Sequence, residues 1–253
     1  MNTRPSFMVS FARRVWQATV VATLISTGVS PGRAWAADPW PQMPVPPQAD
    51  VQWIGESMRI NGVPTRIMQF QSRASRQAIV AYYTDRWSRG YEHKPSVRDL
   101  GDSTVINQGK GPYLMTIKVE DDLQRSSHGL ISVARVLGSK PDLDAKQVAL
   151  MPGGHVISVV ESDDVGKHSR QILILTPQPP TSVSDFYQAS FSENGWNQLQ
   201  GADTPPESAR GGSFLVFSQG PTEVQLSIVA SHSARGSTVL ANVVTKDTGR
   251  AGD

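Results

Sequence analysis

The side chains best suited to proton transfer or metal ligation near neutral pH are five histidines: His93, His128, His155, His168 and His232. No two stand at HxH or HxxxH spacing, so no single strand or helix presents a pair of imidazoles to one metal ion. The absence of cysteine removes thiolate nucleophiles, CxxC redox pairs and cysteine-ligated zinc or iron–sulfur centres together. Serines are abundant, yet none sits in a GxSxG elbow. Pro152-Gly153-Gly154-His155 reads as a turn before a strand, because no GK[ST] or GxGxxG carries it into a helix. Two acidic clusters, Glu120-Asp121-Asp122 and Glu161-Ser162-Asp163-Asp164, offer oxygen ligands of the kind calcium takes. Their spacing fits no calcium loop, and aspartate serves turns through its own backbone hydrogen bonds. The sequence therefore assigns no catalytic residue, no metal ligand and no cofactor.

What remains is a candidate contact surface on one helix. Taking Tyr83 as the centre of a buried stripe and about 100° per residue, Arg86, Tyr82 and Arg89 fall on one flank. They are expected to form a solvent-facing basic and aromatic strip, suited to an acidic partner or an anionic membrane surface. Arg76 falls near the stripe centre, in the first turn, and is left out of it.

That helix, Ser75–Tyr91, has an echo at Ser182–Trp196. Tyr82-Tyr83 aligns with Phe186-Tyr187 at an offset of 104, which carries Ile79, Tyr83 and Trp87 onto Val183, Tyr187 and Phe191. In both copies these lie at i, i+4 and i+8, one helical stripe. Both end in glycine plus an aromatic, Gly90-Tyr91 and Gly195-Trp196, which predicts a left-handed glycine stop. The second copy also has Ser182 and Asp185 at capping-box spacing.

Around each helix the strand signals run in the same order. Ser57–Asn61 and Thr65–Gln71 flank the hairpin signal Asn61-Gly62. After the helix, Gly90–Asp102 reads as loop, followed by strands Thr104–Asn107, Tyr113–Glu120 and Gly129–Leu137. The second set is His155–Glu161, Gln171–Thr176, the helix, then Ser213–Ser218, Glu223–Ala230 and Ser237–Thr245. Gln108-Gly109 and Gln219-Gly220-Pro221 stand in the same place after the third strand. The expected fold is α+β: two tandem, degenerate ββαβββ units, each an antiparallel sheet with one helix on one face. The units are expected at 51–138 and 147–246, joined by a polar linker at 139–146 and followed by a disordered tail at 247–253.

The N-terminal region has a different character. Residues 1–36 read as a secretory signal peptide, with Arg13-Arg14 closing a positive segment, a short apolar run Val15–Val29, and Ala34-Trp35-Ala36 before a cut between Ala36 and Ala37. With no cysteine near the cut, lipid anchoring is not expected, and the mature protein should be periplasmic or secreted. Residues 37–50 carry five prolines between Asp38 and Asp50 and read as a semi-rigid spacer.

The formal charge of +2 changes once that leader is set aside. Its four arginines are unmatched by acid, so 20 basic residues remain against 22 acidic ones, which gives no support for nucleic-acid binding. The charge is also split along the chain: Val51–Gly138 holds 12 basic and 8 acidic residues, Ser139–Asp253 the reverse, 8 and 12. The first functional expectation is a non-catalytic, exported adaptor or structural component of an envelope or secretion assembly. Its partner would be an envelope protein, with membrane contact only peripheral. The alternatives are a binding module holding an apolar small molecule or lipid between helix and sheet, and a hydrolase with an unrecognised site.

Overall fold

A computed structural model describes residues 40–122, 126–204, 212–231 and 236–247. The expected signal peptide, the cut at Ala36 and Ala37, His232 and the tail beyond Asp247 lie outside the described residues. The elements are β1 (Ala49–Ile60), β2 (Val63–Ser72), α1 (Arg76–Gly90), β3 (Ser96–Asp99), β4 (Ser103–Lys110), β5 (Tyr113–Asp121) and β6 (Ser127–Arg135), then β7 (His155–Asp164), β8 (Lys167–Thr176), α2 (Pro180–Glu193), β9 (Asn197–Thr204), β10 (Gly212–Gln219), β11 (Thr222–Ala230) and β12 (Ser237–Lys246). The fold is α+β and dominated by antiparallel sheet.

The described chain divides into two compact units. Unit 1 holds the residues up to Glu56 and Pro64–Ser139; unit 2 holds Ser57–Val63 and the residues from Lys140 onward. The assignment of 57–63 departs from the expected boundaries. Its cause is visible in the pairing: Met58, Arg59 and Ile60 of β1 ladder with Ser162, Glu161 and Val160 of β7. Asn61 adds a main-chain bond to the Val159 carbonyl and accepts the Val159 N–H on its side chain at 2.8 Å. Asn61 and Gly62 form the expected tight turn, both at positive φ of 50° and 78°.

In unit 1 the strands lie in the order β3-β4-β5-β6-β2-β1. Helix α1 buries Ile79, Tyr83 and Trp87 against Phe70, Ile106, Met115, Ile117 and Ile131. In unit 2 the order is β7-β8-β12-β11-β10-β9. Helix α2 buries Val183, Tyr187 and Phe191 against Leu215, Phe217, Leu226 and Ile172. Each stripe therefore faces its own sheet, as spacing at i, i+4 and i+8 requires.

Among the described residues each unit has four strands after its helix rather than three, so the order is ββαββββ in place of the expected ββαβββ. The additions, β3 and β9, are the outermost strands of their sheets. All four residues of β3 are exposed, and so is β9 from Asn197 to Gly201. An edge strand with no buried face carries no alternation to read, which is why Gly90–Asp102 looked like loop.

The helix ends also differ from expectation. Ser75 caps α1, its hydroxyl accepting the Ala78 N–H at 3.3 Å. Helix α2 starts earlier than the capping box implied: Pro179 is the N-cap, Pro180 opens the first turn, and no side chain caps it. Gly195 takes the left-handed stop at φ 76°, with Gly195 N–H on Ser192 O and Trp196 N–H on Phe191 O, both at 3.0 Å. The Trp196 ring then packs edge-on against Phe191, 5.2 Å between centroids. Gly90 does none of this. It ends α1 as a helical residue, and Tyr91 leaves in extended geometry (φ −137°, ψ 152°).

Neither expected linker is free. From Trp40 onward the proline-rich segment lies on unit 1: Trp40 and Met43 pack against the core, Pro46 is buried, and the Tyr83 hydroxyl donates to the Pro44 carbonyl at 2.6 Å. The Ser72 hydroxyl holds the Pro47 carbonyl at 2.7 Å. In unit 2, Ala145 and Val148 enter the core and Arg170 donates to the Asp144 carbonyl. Prolines remove backbone donors, so such a segment can dock through carbonyls and ring faces without leaving buried N–H groups unmet.

Candidate functional site: a basic groove at the end of α1

The end of α1, the Trp40–Gln48 arm and the β4–β5 hairpin enclose an open groove of about 1400 Å³ within unit 1. One wall is the arm, through Gln42, Met43 and Pro44; another is the last turn of α1 with Arg86, Arg89 and Gly90. The segment Tyr91–Lys94 and the hairpin residues Asn107–Gly111 complete it, with Leu114 beside them. Four cationic side chains line it, Arg86, Arg89, Lys94 and Lys110, against one carboxylate, Glu92. His93 lies on the same rim.

Of the expected strip, Arg86 and Arg89 are exposed and belong to this groove, while Tyr82 does not line it. Tyr82 is half-buried, its ring edge-on to Tyr83 at 5.1 Å, with the Arg86 guanidinium 6.0 Å from its centroid. Arg89 forms an i,i+4 ion pair with Asp85 on the solvent side. The aromatic member of the strip thus supports Arg86 from the core side instead of sharing a surface with both arginines. Arg76 is held elsewhere, 3.0 Å from Asp121 and 2.8 Å from the Gly101 carbonyl.

Two polar atoms beneath the groove stand out. Trp87 and Gln108 both line it, at 1% and 4% exposure, and Trp87 Nε1 and Gln108 Oε1 are buried with no hydrogen-bond partner among the described residues. The Gln108 amide nitrogen donates only to the neighbouring Gly109 carbonyl, at 3.1 Å. An unmet buried polar atom costs about 1–3 kcal/mol. Thr84 Oγ1 and Arg170 Nε are also unmet among the described residues, but only Trp87 and Gln108 line the groove.

The same positions in unit 2 are closed. Lys110 pairs with Tyr113 across Gly111-Pro112, and Gln219 pairs with Thr222 across Gly220-Pro221. The two glycines have like backbone angles, φ 52° and 56°. The hairpins therefore align at an offset of 109, Gly111 on Gly220, which displaces the expected match of Gln108 with Gln219 by two residues. Gln108 falls on Phe217, and Lys110 falls on Gln219. Phe217 stacks on Phe191 at 4.5 Å and 13°. Gln219 donates to the carbonyls of Asn194 and Gly195 at 3.0 and 3.4 Å, covering the end of α2. Where unit 2 has an aromatic stack and a satisfied helix end, the matched positions of unit 1 carry the unmet Trp87 Nε1 and Gln108 Oε1 beneath an open basic groove. Sequence reading missed Gln108, Trp87 Nε1, Lys94 and Lys110. The signal that finds the first is the Gly-Pro dipeptide, once it sets the register.

The groups singled out for proton or metal chemistry are spread apart. His168 meets Asp163 at 2.6 Å and His128 meets Glu120 at 3.1 Å, both near the surface. Glu120 also pairs with Lys118, and Glu161 with Arg170 and Lys146. Among the described residues no three His, Asp or Glu side chains converge as metal ligands would. Burial pushes the Tyr91 hydroxyl above its ordinary value, and the nearby Arg86 charge draws it back.

Residues 156–240 match a family model described as START domain-like. No curated protein and no solved structure matches the chain. The START-like match runs from β7 through α2 into β12, within unit 2. Within that match the space between α2 and its sheet is occupied by Tyr187, Phe191 and Phe217, all at 3% exposure or less.

Proposed function

We propose that the protein is a non-catalytic binding component of the cell envelope, exported by its N-terminal segment, which engages its partner through the groove at the end of α1. The single observation that carries this reading is the contrast at matched positions: the unmet Trp87 and Gln108 under a basic groove in unit 1, against the Phe191–Phe217 stack in unit 2. A START-like match in unit 2 supports a binding role for the fold type. The filled interior of unit 2 favours a site at the helix end over one between helix and sheet. The shared order ββαββββ and the equivalent stripes support descent of both units from one ancestral unit. On that view unit 2 keeps a closed helix end and unit 1 has opened its own.

A photo-cross-linking residue in place of Leu114, in the groove, tests the site against the same residue in place of Leu240, on a strand of unit 2. Capture of a defined species through position 114 and not through 240, from cells exporting the protein, supports the reading. Equal capture at both positions, or none, overturns it. N-terminal sequencing of the same material tests export: a mature chain beginning at Ala37 is expected, and one still beginning before Val29 counts against it.

A further inference from the structure

We propose that the groove of unit 1 takes an acidic peptide segment, whose backbone amide pairs with Trp87 and Gln108 and whose carboxylates meet Arg86, Lys94 and Lys110. This rests on the groove being the binding site and adds the class of its occupant. The first argument is the pairing of unmet atoms. Indole Nε1–H only donates, and Gln108 Oε1 only accepts. A peptide group offers a carbonyl and an N–H together and can serve both. A phosphate or carboxylate only accepts, which leaves Gln108 Oε1 facing negative charge, and an acyl chain serves neither.

The second argument is the helix end. The last carbonyls of any α-helix lack intrahelical donors, and they carry partial negative charge. In unit 2 the glycine stop and Gln219 satisfy them. In unit 1 the position of Gln219 is Lys110, and Trp87, Arg89 and Gly90 of the last turn line the groove. A segment that brings N–H donors suits such a wall better than a polyanion built of acceptors alone.

The third argument is charge. Four cationic side chains against Glu92 favour a ligand carrying carboxylates, and arginine grips these in pairs. Arg89 is partly neutralised by Asp85, so Arg86, Lys94 and Lys110 carry most of this attraction. The Gln108 amide now closes on its own neighbour, Gly109; binding turns it outward to accept the peptide N–H.

The test is fluorescence anisotropy at low salt, with the full mature chain and a labelled soluble peptide of Glu, Pro and Leu. The comparison probes are the same peptide with Lys for Glu, a backbone N-methylated version, a single-stranded oligothymidine, and phosphatidylglycerol-containing vesicles. The acidic peptide should bind, the lysine peptide should not, and salt should weaken the complex. N-methylation should weaken it about tenfold, the loss of one or two hydrogen bonds. Arg86→Glu with Lys110→Glu should weaken it tenfold or more and flatten its salt dependence. Gln108→Met should weaken it about tenfold while leaving the salt dependence intact, a pattern that general damage to the rim does not give. No binding of the acidic peptide overturns the proposal. So does equal binding of its N-methylated form, equal binding by the doubly reversed protein, or tighter binding of the oligonucleotide or vesicles through the same residues. Capture through position 114 alongside failure of the acidic peptide removes only the ligand class; loss of both removes the binding groove as well.

Discussion

The Tyr83 hydroxyl donates a 2.6 Å hydrogen bond to the carbonyl of Pro44, fastening the proline-rich arm to the buried stripe of α1. The arm is also held by the Arg66 guanidinium over the Trp40 ring, 4.6 Å from its centroid, and by the Trp40–Tyr113 contact. Because the arm walls the groove, this bond links core packing to the candidate site. Tyr83→Phe should lower stability by about 1–2 kcal/mol, since it leaves the Pro44 carbonyl unmet. Limited proteolysis should also cut the arm faster. Unchanged cleavage kinetics in the variant would show that the arm is held without this bond.

Burial of the helix tyrosines sets an alkaline limit. The Tyr187 hydroxyl is pushed up to about 12 by burial. Burial moves Tyr83 upward as well, helped by neighbouring Tyr82 and opposed by Arg86. An unfolded tyrosine ionises near 10, so above that pH the unfolded state loses protons that the folded state keeps. The stabilisation is fully present below about pH 10 and is lost as pH climbs toward about 12. For Tyr187 the loss reaches at most about 2–3 kcal/mol. Urea midpoints measured between about pH 9 and 12 should fall, and Tyr187→Phe should make the fall shallower. Parallel curves for the variant and the natural protein would contradict the assignment.

Trp87 and Phe191 hold equivalent places on the two stripes, at 1% and 3% exposure. Trp87→Ala and Phe191→Ala should each cost about 3–5 kcal/mol. Losses below about 1 kcal/mol in both would mean the stripes are not packed as described.

Gln108→Met exchanges an unmet buried acceptor for an apolar side chain of similar length. The free protein should keep its stability or gain up to about 1 kcal/mol. A groove residue whose removal leaves the fold intact is what a binding role predicts. A clear fall in the urea midpoint would instead make Gln108 a structural element of the hairpin.

The helices were legible because each stripe repeats one spacing and is buried against one sheet, so Tyr83 and Trp87 announce their place by period alone. Asn61-Gly62 was legible because two successive positive φ angles need such residues. The edge strands were not, since Val97 and Leu199 are exposed and alternate with nothing buried. The arms were not, because Trp40 and Ala145 dock through contacts distant in sequence, which no local pattern encodes. Arg86 and Arg89 could be placed from helical geometry, whereas Gln108 could not. A buried glutamine in a strand looks like an exposed one until the hairpin register aligns it with Phe217 of the other unit.

Arg170 stands at the same offset from Arg66 as the helices do from each other, and it fastens the arm of unit 2 as Arg66 fastens that of unit 1. It is almost wholly buried, pairs with Glu161 and donates to the Asp144 carbonyl. Glu161 keeps a second, more exposed partner, Lys146, at 3.5 Å. Removing one member of a buried pair is worse than removing both, because the remaining charge stays desolvated. Arg170→Ala should therefore cost about 3–5 kcal/mol, toward the lower end because Lys146 remains. Arg170→Met combined with Glu161→Leu should cost less, about 1–3 kcal/mol, chiefly for the Asp144 carbonyl left without its donor. In both variants trypsin should cleave sooner after Lys146, since the arm has lost its tether to β8. A double variant as unstable as the single one would mean that Arg170 acts mainly through the arm and that its pairing with Glu161 contributes little.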